Sequence, residues 1–131
     1  MNRFSSWEAL LNDYIASMIH EVHSYGTLDC AMFASGAVLA MTGYDPALEF
    51  RGKYKTELGA ARALRQIGNG DLESTFDAKL TPIAAGFAKR GDLVFVDGNV
   101  GVCFGAFGLF IEDDGLQRVE RSQFLKGWAV G

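Results

Sequence analysis

Leu28-Asp29-Cys30-Ala31-Met32-Phe33 opens the stretch that decides the fold, an apolar run reaching Met41 between the turn formers Ser24-Tyr25-Gly26-Thr27 and the stop Thr42-Gly43. Asp29 is a good N-cap, because its carboxylate can accept from N–H groups that the first helical turn leaves unpaired. Cys30 to Met41 is apolar nearly all round, which predicts a central, buried helix rather than a surface one. The same reading sets a thiol on the first turn, where orphan N–H groups and the positive end of the helix dipole favour thiolate.

Upstream, Ser5 and Glu8 have capping-box spacing, and Trp7, Leu10, Leu11, Tyr14, Met18 and Val22 recur at helical intervals, predicting an amphipathic first helix. Downstream, Asp45-Pro46 signals a turn. Thr56-Glu57-Leu58 starts a third helix with Leu58, Ala61, Leu64 and Arg65 in phase and Gly68 as terminator, and Asp71 to Leu80 adds a short fourth. After Lys89-Arg90-Gly91 the pattern changes to short β-rich runs, Leu93–Asp97, Val100–Gly105, Phe107–Glu112, Gln117–Arg121 and Trp128–Val130. Asp97-Gly98-Asn99 and Asp113-Asp114-Gly115 supply hairpin turns. Helices first and strands later predict an α+β domain, with the cysteine helix packed on a small antiparallel sheet formed by the C-terminal third.

At 131 residues and 49% hydrophobic, the chain is long enough for one domain with its own core and too short for two, so residues 1–131 form a single unit. Twelve basic and sixteen acidic residues give a net charge of −4 with no basic stripe, which argues against a nucleic-acid partner. The first twenty residues carry Glu8 and Asp13 and no long apolar core, and no stretch approaches eighteen apolar residues, so a secretory signal and a membrane span are not expected. The expectation is a soluble chain made in the cytoplasm. Cys30 and Cys103 are then expected as reduced thiols. Gly98, Gly101, Gly105 and Gly108 form no phosphate loop, since none is followed by Lys-Ser/Thr or opens a helix, and no cofactor is expected.

Each candidate residue has a plainer reading beside its chemical one. Cys30 is either a small apolar side chain of a buried helix or a reactive thiol. Asn99 suits a turn whatever its history. Glu112 with Asp113 and Asp114 is an acidic turn of the kind usually solvated. His20 and His23 are the only imidazoles; with the two cysteines they could be four zinc ligands, but the cysteines are isolated rather than tightly paired, and no metal is expected. Phe104, Phe107 and Phe110 cannot all share one sheet face with Val100 and Val102, so either a bulge at Gly105 or Gly108 shifts the register or an apolar patch stays outside. Phe124-Leu125, Trp128 and Val130 give a tail that docks on its own domain or on a neighbour.

Leu28-Asp29-Cys30, Arg90-Gly91-Asp92-Leu93-Val94-Phe95 and Val100-Gly101-Val102-Cys103-Phe104-Gly105, in that order, resemble the NlpC-type branch of the papain-like cysteine peptidases, which cut peptidoglycan stem peptides. The resemblance implies a papain-like fold with Cys30 at the nucleophile position. The family's catalytic histidine would immediately precede the Val-Gly of the second strand, where this chain has Asn99, and its third polar position falls near Glu112 with one residue of slip. From Asp92 to Asn99 is 99 − 92 = 7 residues, a tighter hairpin than the family usually has. An amide cannot take a proton from a thiol, so the resemblance implies a site that has lost its base. His23 is seven residues before Cys30 (30 − 23 = 7), so a loop could bring it there as a substitute base; Asp97 and Glu112 are the other substitutes, but a carboxylate with a pKa of about 4 is a poor acceptor for a thiol at about 8.5.

Ala40-Met41-Thr42-Gly43-Tyr44-Asp45-Pro46, Phe50-Arg51-Gly52-Lys53-Tyr54 and Gly127-Trp128-Ala129-Val130-Gly131 are similar to short phage and prophage proteins encoded among tail genes. That similarity, spanning nearly the whole chain, implies a structural or assembly role in a phage tail tip or baseplate. Its partners would be other tail proteins, and the chain would be made in the host cytoplasm and carried in the virion tail. The contrasting expectation is an active cysteine amidase or endopeptidase on peptidoglycan with Cys30 as nucleophile.

Overall fold

A computed structural model describes residues 1–131. Four helices come first, α1 (Trp7–Met18), α2 (Cys30–Thr42), α3 (Glu57–Gln66) and α4 (Leu72–Lys79). Six strands follow, β1 (Thr81–Ile83), β2 (Leu93–Val96), β3 (Asn99–Cys103), β4 (Phe107–Glu112), β5 (Gly115–Glu120) and β6 (Lys126–Ala129). They make one antiparallel sheet in the order β1-β6-β2-β3-β4-β5, so the architecture is α+β as expected.

The caps that start the helices are legible side chains. Asp29 accepts from Met32 N–H at 3.0 Å, Thr56 from Gly59 N–H at 3.0 Å and Asp71 from Ser74 N–H at 2.7 Å. Helix α2 ends at Gly43, whose φ of 82° is the left-handed stop that Thr42-Gly43 predicts. It is covered by α1 on one side and by β3 and β4 on the other, which is why it can be apolar all round. Gly36 lets α1 come close: a Cβ there would stand 2.2 Å from the Tyr14 hydroxyl, which donates to Phe33 O at 2.7 Å.

Both faces of the sheet carry a core. Leu93, Val100, Val102, Ile111 and Trp128 point toward α2, with Phe33, Ala37, Val38 and Met41 opposite them. Val94, Val96, Cys103 and Phe110 point the other way and are closed over by Ala88 and Phe124 from the segments flanking the sheet. This resolves the three phenylalanines. Phe110 is buried in the second core, while Phe104 and Phe107 flank a tight turn at Gly105 and stack at 6.0 Å. Phe104 and Phe107 are half-buried, and a cation stacks on each, Arg90 over Phe104 at 4.8 Å and Arg118 over Phe107 at 3.7 Å. The tail docks on its own domain: Trp128 is wholly buried, and its indole N–H donates to Asp77 at 2.9 Å.

Three elements differ from expectation. Helix α1 stops at Met18 rather than running to Val22, because His23 N–H pairs with Glu112 O at 3.0 Å and Ser24 bridges to Leu28, drawing the chain out of the helix. Strand β1 is an addition, formed by pairing with β6 across Thr81↔Ala129 to Ile83↔Gly127. Strand β6 itself begins at Lys126, two residues earlier than its apolar run suggests (128 − 126 = 2).

Candidate functional site

The N-terminus of α2 is built around Asp29. Its carboxylate accepts from Met32 N–H at 3.0 Å, from Gly26 N–H at 3.1 Å and from the Tyr54 hydroxyl, so its lone pairs are taken up in holding the loop to the helix. Burial first, and the bond to Asp29 second, push ionisation of Tyr54 far above the ordinary tyrosine range. Gly26 makes the arrangement sterically feasible. Its φ is 80°, and a Cβ there would overlap the Tyr54 carbonyl oxygen at 1.8 Å. Gly26→Ala is therefore expected to cost about 2–3 kcal/mol of stability, from left-handed strain plus the clash, read as a drop in the urea midpoint at unchanged slope.

Cys30 follows directly, half-buried, on the wall of a cavity of about 290 Å³ that His23, Tyr25, Tyr54, Gly98 and Asn99 also line. Asn99 is the first residue of β3, paired with Val96 across a two-residue turn in which Asp97 (φ 48°) and Gly98 (φ 83°) are both left-handed. The hairpin brings Asn99 to the same cavity as Cys30. Burial pushes the thiol up to about 11, and Asp29 and Glu112 add to the rise, while the N–H groups of Val100 and Ala31 pull the other way. Desolvation outweighs the helix terminus, so Cys30 is a protonated thiol at neutral pH.

The remaining candidates divide sharply. The His23 ring packs edge-on against Tyr25 at 4.5 Å, and its Nδ1 lies 3.9 Å from the exposed Asp113. Glu112 is exposed at the end of β4, and its charge opposes thiolate formation, the reverse of what a catalytic partner does. His20 is exposed in the loop after α1. Cys103 sits in the second core, whereas Cys30 packs against the first, so the two cannot share a zinc ion; no group of three or more His, Cys, Asp or Glu side chains is arranged to hold a metal.

Sequence reasoning missed Tyr54, Tyr25, Glu57 and Ser35, all of which line the cavity. Of these only Ser35 had a local signal, as a hydroxyl inside an otherwise apolar helix. The fold and this site define an α+β domain with a capped, thiol-bearing helix facing a hairpin across a partly open cavity. The chain belongs to the family described as "Domain of unknown function (DUF6950)", whose family model matches residues 2–130. No curated protein and no solved structure matches it.

Proposed function

We propose that this chain is a papain-like, NlpC-related domain without peptidase activity, serving as a structural or assembly component of a phage tail tip or baseplate. The observation that carries the loss of activity is the state of Cys30: a thiol pushed up to about 11, with Asn99 rather than an imidazole on the facing hairpin. Nucleophilic attack by cysteine needs thiolate, and a general base contributes typically about 10²–10⁴-fold. The order of the three peptidase-like segments supports the fold relationship. The tail assignment rests on the similarity to phage tail-cluster proteins, with neighbouring tail proteins as partners and the virion as location. The purified protein is expected to release no peptide from peptidoglycan sacculi, and mass spectrometry of purified phage particles is expected to find it in the tail.

A second reading, an active amidase or endopeptidase, has one observation in its favour: His23 lines the same cavity as Cys30. It requires the ring to leave Tyr25 and reach the sulfur. Hydrolysis of sacculi by the unmutated protein, abolished in Cys30→Ala, would establish that reading and overturn the first.

A further inference from the structure

The cavity continues past Cys30 into the space between α2, α3 and α4. Its inner wall is aliphatic and aromatic, with Ala60 and Leu64 of α3 and Leu72 and Phe76 of α4. Ser35 also lines it, four residues after Ala31 (35 − 31 = 4) on the same face of α2. Ser35 is wholly buried, and its hydroxyl has no hydrogen-bond partner in the protein. Neighbouring polar groups are committed elsewhere. Thr75 Oγ1 donates to Asp71 O at 2.6 Å and accepts from Asn69 N–H at 3.0 Å, Tyr54 donates to Asp29, and Lys79 is paired with Glu49.

A buried hydroxyl left unpaired costs about 1–3 kcal/mol, and a native fold keeps such a group where something completes it. The charges on the wall narrow what that is. Asp29 and Glu57 contribute carboxylates; of the basic side chains, Lys79 is paired with Glu49, and His23 faces Tyr25 and Asp113. An anionic head group would find no free cation. The volume of about 290 Å³ is at the small end of ligand sites, suited to a fragment-sized molecule.

We infer that this cavity is a binding site for a small uncharged amphiphile, with an aliphatic body against Leu64, Leu72 and Phe76 and one hydroxyl or amide hydrogen-bonded to Ser35. The assignment goes beyond the proposed function and does not depend on it, since it needs neither a reactive Cys30 nor a tail partner. The test is to titrate the full chain with 1-hexanol and, separately, with hexanoate at pH 7.5, following backbone amide shifts by NMR. Saturable shifts at Ser35, Ala60 and Leu64 are expected with hexanol, and binding of hexanoate is expected to be at least about tenfold weaker because its charge must be desolvated beside carboxylates.

Ser35→Ala is expected to weaken hexanol about 3- to 10-fold, the usual effect of one neutral hydrogen bond. Ala61→Phe, which fills the cavity from its wall, is expected to abolish binding; circular dichroism checks that each variant is folded. Shifts that do not saturate, equal binding of hexanoate, or hexanol binding unchanged in both variants would overturn the assignment. Absence of hexanol binding would overturn it equally.

Discussion

Replacing Asp92 by alanine lowers the unfolding free energy by about 3–5 kcal/mol, the scale of breaking a buried ion pair from one side. Asp92 is 1% exposed and accepts from Arg3 Nη2 at 2.9 Å, from Val130 N–H at 3.0 Å and from Lys89 N–H at 3.0 Å. Arg3 in turn donates through Nε to Val130 O at 2.6 Å and through Nη1 to Arg90 O at 2.9 Å. The pair ties the segment before α1 to the start of β2 and to the segment after β6. Truncating Asp92 orphans the buried Val130 N–H and the part-buried Lys89 N–H, and leaves the guanidinium, whose side chain is only 12% exposed, without its carboxylate. Urea unfolding of Asp92→Ala, Arg3→Ala and the double variant checks this. The double variant should lose much less than the sum of the singles, because the two changes remove the same unit. A loss below about 1 kcal/mol for Asp92→Ala would contradict the reading.

The aspartate of this lock lies in one of the three segments that carry the peptidase resemblance. Gly91-Asp92-Leu93-Val94-Phe95 reads in the sequence as a peptidase-like strand, yet its aspartate is a fastener for the two ends of the chain. Arg3 is 89 residues away (92 − 3 = 89), and nothing local marks it as the partner. By contrast α2 could be read almost entire, because its start, its stop and its burial are each written in residues within the helix or next to it: Asp29, Thr42-Gly43 and an unbroken apolar run. Strand β1 could not, since Thr81-Pro82-Ile83 is too short to carry a pattern and exists only through β6. The two-sided sheet was half legible: alternation assigned Val100 and Val102 to one face, but the loops that bury Phe110 on the other face are a tertiary fact. At the site, only the resemblance implied that Cys30 and Asn99 belong together, and both line the same cavity. The sequence did not reveal the strength of desolvation at Cys30, since a helix terminus contributes about 1 kcal/mol while burial moves a pKa by several times that.

Alkylation of Cys30 by iodoacetamide at pH 7.5 is expected to run about two to three orders of magnitude slower than that of a free cysteine. A thiol at about 11 is thiolate in only a few parts in ten thousand there, against roughly a tenth for an ordinary thiol near 8.5. Asn99→His supplies the missing imidazole from the hairpin that shares the cavity, and is expected to raise the rate at pH 7.5 by about tenfold or more, because an imidazolium beside the sulfur stabilises thiolate where the amide does not. His23→Ala is expected to leave the rate unchanged, since that ring is engaged with Tyr25. The sign is fixed by the direction of the shift: burial raises the thiol, so reactivity is gained only as pH climbs toward about 11.

The pH profile of Cys30 alkylation in the folded chain, from pH 6 to 11 and followed at the Cys30 peptide by mass spectrometry, is therefore the most direct measurement. A rate that keeps rising to the alkaline limit, with a midpoint near 11, is the result predicted for a thiol without a base. A plateau already reached at neutral pH, with a midpoint well below about 8.5, would mean a prepared nucleophile and would contradict the account.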